Sequence, residues 1–334
     1  MKMKSKFIAS LLLATALLGA CTQEEKPYTE AQEKEVLSEL ITEDSSIADT
    51  YAFKEKMDAE LPRLSKDGSS DLVDTWLYTL YSETEALNNK LSAFQKELGE
   101  LVEAENDPTS EKFDVNKVED EALKAILKET AKLHVVMKTE FDRNSKELVF
   151  FLNPDFERIL KDYKQYMDKD IIAYIEFNIL QTGTNIVNED GTAPLLPEVA
   201  KMIVELEGII KTNEDSKYVP AFKQMLVYYY DIYFSVTAPG LLNAESTAYL
   251  DSTIESYSAH AEAYKTFQFG KDLLRILNVV QKTDGNLITN EVTDEVSQLL
   301  QERAPEEWME HVDEGEEPLV NTGESEQEAE SIKK

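Results

Sequence analysis

Apolar residues recur at alternating steps of four and three along two long stretches of the chain. The first stretch runs from Ser69 to about Ala104, and its stripe consists of Val73, Leu77, Leu80, Thr84, Leu87, Leu91, Phe94, Leu98 and Leu101. The second runs from Asn116 to about Leu152, with Leu123, Leu127, Thr130, His134, Met137, Phe141, Asn144 and Leu148 at the same spacing. Because this spacing gives a helix one apolar face, it predicts two long amphipathic helices.

Two arrangements would bury these stripes, and the pattern leaves both open. In a coiled-coil dimer, each stripe would face a second copy of the chain. In a single chain, the two helices would pack antiparallel, with Asn106–Val115 as their connection. We favour packing within one chain, because short connections between long helices make antiparallel neighbours.

Capping residues and prolines predict further helices along the rest of the chain. The predicted spans are about Thr29–Ile41, Ser46–Leu61, Asn153–Leu180, Pro197–Lys211, Pro220–Val236, Asn243–Gln281 with a bend at Gly270, and Asn290–Arg303. Strict alternation of apolar and polar residues, the sign of a half-buried strand, is almost absent. The predicted fold class is therefore all-α, an elongated bundle of long helices.

Polar segments set the expected domain limits. The helical domain is predicted to span residues 29–303. The segment 182–196, with Gly183 and the run Asn188–Gly191, is either a loop or the boundary between two helical subdomains. From residue 304 onward the chain has eleven acidic residues against Lys333 and Lys334. With so little to bury, this acidic C-terminal tail is predicted to be disordered.

The first 21 residues have the order of a secretory signal. Lys2, Lys4 and Lys6 are followed by an uncharged, mostly apolar run from Phe7 to Leu18. Those twelve residues would span about 18 Å as a helix, which is short of the roughly 30 Å hydrocarbon core of a bilayer. This stretch therefore predicts a signal peptide, residues 1–20, rather than a membrane span.

The end of this signal, Leu18-Gly19-Ala20-Cys21, resembles the lipobox of bacterial lipoproteins. The resemblance implies cleavage between Ala20 and Cys21 and a diacylglycerol on the thiol of Cys21. Residues 21–28 would then be a lipidated tether at the extracytoplasmic face of the cell membrane. The alternative is an ordinary cleaved signal, with Cys21 an incidental thiol.

Charge and cysteine content limit the partners. The formal net charge is −32, and it becomes −35 when residues 1–20 leave with three lysines and no acid. So acidic a chain is not expected to bind nucleic acid, and an anionic membrane would repel it without a lipid anchor. Cys21 is the only cysteine, which excludes a disulfide within the chain. In a two-membrane bacterium, Thr22 would lack the aspartate that is associated with retention of lipoproteins at the inner membrane. The lack of disulfides fits a one-membrane bacterium equally well, and we favour the latter as the host.

Motifs for catalysis are missing from the sequence. It contains no His-Glu-x-x-His, Gly-x-Ser-x-Gly, Walker or Gly-x-Gly-x-x-Gly pattern. His134 lies on the apolar stripe of its predicted helix, so a buried and hydrogen-bonded histidine is expected there rather than a catalytic base. We therefore predict no catalytic residue and no cofactor site.

A calcium site is the one metal hypothesis that the letters raise. Asp284, Gly285 and Glu291 match the fifth, sixth and twelfth positions of an EF-hand loop. However, Val280 and Lys282 occupy the first and third positions, where ligands are required. An Asp-Gly turn followed by a helix whose first turn carries Glu291 explains the same residues. Asp284 and Glu291 are retained as candidates, with the turn as the favoured interpretation.

Aromatic residues are concentrated near the middle of the second half. Twelve of the 30 aromatic residues lie between Tyr218 and Phe269. Adjacent helical residues point about 100° apart, so three consecutive tyrosines cannot all face one core. Tyr228, Tyr229, Tyr230 and Tyr233 could form a groove for a partner. An aromatic core with hydroxyls at its edge is the favoured alternative.

These observations lead to three functional hypotheses. The first is a non-enzymatic, lipid-anchored helical protein that binds or scaffolds a protein partner at the bacterial cell envelope. The second is a solute- or metal-binding lipoprotein of an uptake system, although such receptors usually show strand patterns. The third is an envelope hydrolase whose residues are distant in the sequence.

The anchor hypothesis predicts that Cys21→Ser releases the protein from membranes or leaves it unprocessed. The serine hydroxyl lacks the thiol nucleophile that would receive the lipid, so no acyl chain would hold the chain at the bilayer. Membrane fractionation and intact-mass measurement check this outcome, with Thr22→Ser as the control that should remain anchored. A Cys21→Ser protein that is still processed and firmly membrane-bound would contradict the hypothesis.

Overall fold

The computed structural model describes residues 26–41, 50–105, 115–142, 147–188 and 192–305. These residues are predominantly helical, and the only sheet among them has two strands, which confirms the predicted all-α class. The predicted signal peptide, Cys21 and the tail from residue 306 lie outside the described residues. Within the described part of the chain, no helix is both long and apolar enough to cross a membrane.

Residue contacts divide the chain into two compact units, Met1–Ile179 and Leu180–Lys334, called unit 1 and unit 2 below. Unit 1 contains α1 (Glu30–Leu40), α2 (Thr50–Glu60), α3 (Lys66–Leu91), α4 (Gln95–Glu105), α5 (Glu121–Lys132), β1 (Val135–Asp142), β2 (Glu147–Pro154), α6 (Phe156–Tyr163) and most of α7 (Lys169–Gly183). Unit 2 contains α8 (Leu196–Thr212), α9 (Val219–Tyr233), α10 (Asp251–Ala263), α11 (Gln268–Val280) and α12 (Asn290–Arg303). The division falls inside α7, a few residues before the segment 182–196, which remains a predicted boundary.

The core of unit 1 forms around α3. Its inner face is buried along the predicted stripe and beside it, at Leu72, Val73, Trp76, Leu77, Leu80, Thr84, Leu87 and Leu91. This face contacts α1, α2, α5 and β2, all of the same unit. The stripe is therefore covered within one chain. A single 3-10 turn, Ser92–Phe94, separates α3 from α4 where one continuous helix was predicted.

The second predicted long helix, from Asn116 to Leu152, is wrong in its second half. Helix α5 ends at Lys132, and His134 adopts a positive φ of 59°. The chain then forms an antiparallel hairpin, in which Met137 lies opposite Leu152 and Thr139 opposite Phe150. Because this segment is rich in β-branched and aromatic residues, it fits a pleated, half-buried surface better than a helix.

The structure corrects two further details of the predicted helices. Pro154 ends β2 and Asp155 caps α6 by accepting a hydrogen bond from the Arg158 N–H, so the proline is not the first helical residue. The long helix predicted up to Gln281 is two helices, α10 and α11. Gly270 does not bend a helix but permits a close approach, since a Cβ there would clash with the carbonyl of Tyr264.

The start of unit 1 is fixed by a predicted capping box and by Tyr28. Thr29 and Gln32 exchange the hydrogen bonds of a capping box at the start of α1, which confirms that prediction. The Tyr28 N–H donates to the carbonyl of Arg63 at 2.9 Å, and the Arg63 guanidinium lies 3.9 Å from the centre of the Tyr28 ring. The last residue of the predicted tether is thus held against the body.

The outer edge of β2 is covered by two side-chain amides. Asn88 on α3 donates to the carbonyl of Leu152 and accepts from its N–H, at 3.0 and 2.6 Å. Gln95 on α4 makes the same pair of bonds to Phe150, both at 2.8 Å. Each carboxamide thus takes the place of a neighbouring strand and satisfies backbone groups that an edge strand leaves open.

We predict that Asn88→Ala destabilises the protein by about 1–3 kcal/mol, because it leaves the half-buried N–H and C=O of Leu152 without their partners. Denaturant unfolding checks the value. Asn89→Ala is the matched control, since Asn89 is exposed on the same helix and its change should stay within about 0.5 kcal/mol. Equal unfolding midpoints for the two variants would show that the amide bonds to β2 contribute nothing.

Candidate functional site

The tyrosines of α9 divide between the core and the surface. Tyr229, Tyr230 and Tyr233 are buried in unit 2, whereas the Tyr228 residue is 52% exposed. This is the separation that the 100° step of a helix imposes on adjacent residues. The hypothesis of a partner groove formed by all four rings is therefore corrected. Three of the rings lie in the core, and only Tyr228 reaches solvent.

The buried rings form one aromatic cluster with satisfied hydroxyls. Tyr233 stacks on Tyr257 at a centroid distance of 5.1 Å and meets Phe269 edge-on at 4.9 Å. The Tyr257 hydroxyl donates to the carbonyl of Tyr233 at 2.7 Å, and the Tyr233 hydroxyl bonds to Nδ1 of His260 at 2.7 Å. Burial raises the pKa of both tyrosines well above the usual value. These hydroxyls therefore stay neutral and serve packing.

A buried carboxylate next to this cluster links three helices of unit 2. Asp272 on α11 is fully buried and accepts from Nη2 of Arg303, on α12, at 2.7 Å. The Tyr230 hydroxyl of α9 lies 3.0 Å from the same carboxylate oxygen. Glu207 of α8 accepts from the N–H groups of Gln268 and Phe269 and so caps α11. Burial raises the pKa of Glu207, although these N–H bonds oppose the shift.

This network is better explained by structure than by catalysis. A buried carboxylate requires a charged or hydrogen-bonded partner, and Arg303 supplies a two-pronged one. The bonds of Asp272 to Arg303 and Tyr230 join one helix to another, and those of Glu207 cap a helix end. The pairing of Asp272 with Arg303 therefore holds α12 against α11, and it explains why charged groups are buried inside unit 2.

Unit 1 contains a second buried polar group, the pair His134 and Asp162. His134 is 4% exposed, and its Nε2 lies 2.8 Å from Oδ2 of Asp162, a carboxylate with partial access to solvent. Its ring packs near Trp76 and Tyr163, with centroid distances of 5.7 and 5.4 Å. Burial lowers the pKa of His134, and the hydrogen bond to Asp162 opposes that shift. The bond to His134 in turn lowers the pKa of Asp162.

The orientation of this pair decides what it can do. An ionised Asp162 accepts from Nε2, which leaves Nδ1 of a neutral His134 as the remaining nitrogen. Among the described residues, neither that Nδ1 nor the Nε1 of Trp76 has a hydrogen-bond partner, and both atoms are buried. General acid or base catalysis needs a nitrogen within reach of a substrate. The outward side of this pair is the carboxylate, so the geometry supports a buried structural histidine, as predicted.

Of the calcium candidates, Asp284 lies in the connection between α11 and α12, and Glu291 lies in the first turn of α12. Gly285 and Asn286 have positive φ values of 73° and 58°, which is the conformation of a tight turn. The ammonium of Lys282 lies 3.3 Å from a carboxylate oxygen of Glu291, so the third-position lysine pairs with the twelfth-position acid. Within the described part of the chain, no three His, Cys, Asp or Glu side chains are grouped to hold a metal ion. The geometry therefore gives calcium no support.

The outer face of α3 is a surface that sequence reasoning missed. Exposed or half-exposed residues follow one another at steps of three and four, parallel to the buried stripe: Asp71, Asp74, Tyr78, Tyr81 and Glu85. We call these five residues the outer stripe. Tyr78 is 76% exposed, more than any other exposed large apolar or aromatic residue among those described. Reading both faces of the helix, rather than the apolar face alone, would have shown two tyrosines among acids.

Two contacts fix the position of Tyr81 in the outer stripe. Its hydroxyl lies 3.0 Å from the hydroxyl of Tyr174 on α7. Its ring lies 6.1 Å from that of Phe156, at the start of α6. Burial raises the pKa of Tyr81, with Tyr174 adding to the shift. Tyr81 is thus a supported, half-exposed ring, beside which Tyr78 projects into solvent.

Comparison with known proteins assigns no family to this arrangement. No protein-family model matches the chain, and no match was found among curated proteins or solved structures. Function is therefore argued from the side chains and their surroundings.

The depressed pKa of His134 gives a pH prediction. Because the folded state binds this proton less readily than the unfolded chain, stability is complete above the ordinary histidine pKa of about 6.5 and decreases as the pH falls below it. We expect the unfolding free energy to decrease from about pH 7 to pH 5. In His134→Asn, which tolerates a positive φ and cannot titrate, the decrease should be smaller.

Denaturant unfolding across this range measures both slopes. His260→Asn is a useful comparison, because burial lowers the pKa of His260 as well and should give it a share of the slope. An unchanged slope in His134→Asn would contradict the assignment of a buried neutral His134.

Proposed function

We propose that this chain is a lipid-anchored helical protein that binds or scaffolds a protein partner at the outer face of a bacterial cell membrane. The observation that carries the proposal is the close coupling of the Cys21 signal to the folded body. Tyr28 is only the seventh residue after Cys21, and it is held by Arg63. Seven residues span at most roughly 25 Å. A lipid on Cys21 would therefore keep unit 1 close to the bilayer.

The polar groups support binding rather than catalysis. The aromatic cluster, the Asp272–Arg303 pair and the His134–Asp162 pair all serve the interior of their unit. By contrast, Tyr78 of the outer stripe projects into solvent, beside the half-exposed ring of Tyr81. Exposed tyrosines are common at protein interfaces, because one ring supplies large contact area together with a polar hydroxyl.

Metal binding and hydrolysis lack a supporting site in the described residues. A metal-binding receptor needs a cluster of ligands, and none is formed there. A hydrolase needs a nucleophile beside a base, and the free nitrogen of His134 has no hydrogen-bond partner there. Metal uptake and hydrolysis therefore remain sequence-based alternatives without geometric support.

Cross-linking in cells, followed by purification from detergent-solubilised membranes, tests the proposal. We expect one or a few membrane or cell-wall proteins to be recovered in stoichiometric amounts with the native chain. Recovery should decrease in Cys21→Ser, because loss of the anchor removes the chain from its partner's surface. Recovery of the chain alone, from membranes in which it is correctly anchored, would contradict partner binding.

A further inference from the structure

We propose that the outer stripe of α3 is a docking surface for a Lys- and Arg-rich amphipathic helix of a partner protein. This inference rests on the proposed function and identifies the surface and the chemical class of the partner. The stripe extends from Asp71 to Glu85, a length of about 21 Å along the helix. That length is sufficient for four turns of a partner helix.

The stripe is held rigidly by what lies beneath it. The opposite face of α3 is buried against α1, α2, α5 and β2. Tyr81 is positioned by Tyr174 and Phe156, as described above. A partner would therefore bind a surface whose backbone and Tyr81 ring are already in place, which reduces the entropy lost on binding.

Charge determines the chemistry of the partner. Between Lys66 and Lys90, α3 contains five acidic residues and no lysine or arginine. Glu85 is exposed, and no ion pair to it is formed among the described residues. One cationic side chain of a partner helix can lie over the face of Tyr78 while a second, two turns along the same helix, pairs with Glu85.

The shape and spacing favour a helix as the occupant. The stripe is straight and follows steps of three and four, so it forms a ridge that a second helix can match turn by turn. A helix with basic residues at the same spacing would place a cation next to Glu85. An acidic stripe repels its own copy, which opposes a symmetric dimer through this face. The same charge opposes an anionic bilayer as the occupant.

The test uses the purified full chain in detergent and a labelled amphipathic helical peptide of leucine and lysine. A peptide with glutamate at every lysine position is the matched probe, and fluorescence anisotropy gives the Kd. We expect binding of the basic peptide only, weakening as salt is raised. Tyr78→Ala should raise the Kd about five- to tenfold, and Glu85→Lys on the order of tenfold.

Matched changes on unit 2 separate docking from general attraction to an acidic protein. Tyr228→Ala removes another exposed tyrosine, and Glu255→Lys makes the same charge change at another exposed helix position. Both should leave the Kd unchanged. If Glu255→Lys weakens binding as much as Glu85→Lys does, the peptide senses only net charge and the inference is overturned.

A photo-cross-linking residue at position 78 identifies the occupant in cells, with position 228 as the control. A basic helical segment joined to position 78 supports the inference. An acidic or extended segment, a lipid, or a second copy of this chain at that position overturns it. Because the peptide assay does not depend on Cys21, loss of docking and loss of anchoring are distinguished.

Discussion

The burial of one face of α3 is the constraint on which unit 1 depends. Trp76 and the leucines beside it are covered from several directions, by helices that precede α3 and by the hairpin that follows it. This burial fixes the rotation of α3 about its own axis. The exposed side chains of α3, such as Tyr78, therefore project in one defined direction, although contact with solvent alone would not select it.

The sequence predicted this helix well and the hairpin poorly, and the reason is periodicity. Along α3 the apolar residues fit a helical repeat over about five turns, and no alternation competes with it. Along the segment from Val135 to Leu152, apolar residues occur both at helical spacing and at strand spacing. Met137, Phe150 and Leu152 are buried on one face of the hairpin. The chain changes from helix to strand at His134, whose backbone is left-handed. The sequence does not reveal this change, because histidine can adopt that conformation but is not required to.

The polar contacts of the candidate sites were largely beyond prediction. Arg303 and Asp272 are separated by 31 residues, and Asn88 and Leu152 by 64. One sequence offers many acids and amides of equal standing, and only the packing of distant elements selects the pairs. The aromatic cluster was visible as a concentration of residues. Its division into three core rings and one surface ring followed from the helical step, although the sequence did not identify which ring faces solvent.

The two side-chain amides that cover β2 affect how copies of the protein interact at high local concentration. A bare edge of a sheet is a template on which another chain can lay a strand, and such pairing starts aggregates and swapped dimers. Asn88 and Gln95 occupy that template at Phe150 and Leu152. At these residues, therefore, no further strand can pair with β2. Copies of the protein that are crowded on one surface are therefore prevented from pairing their hairpins into a continuous sheet at this edge of β2.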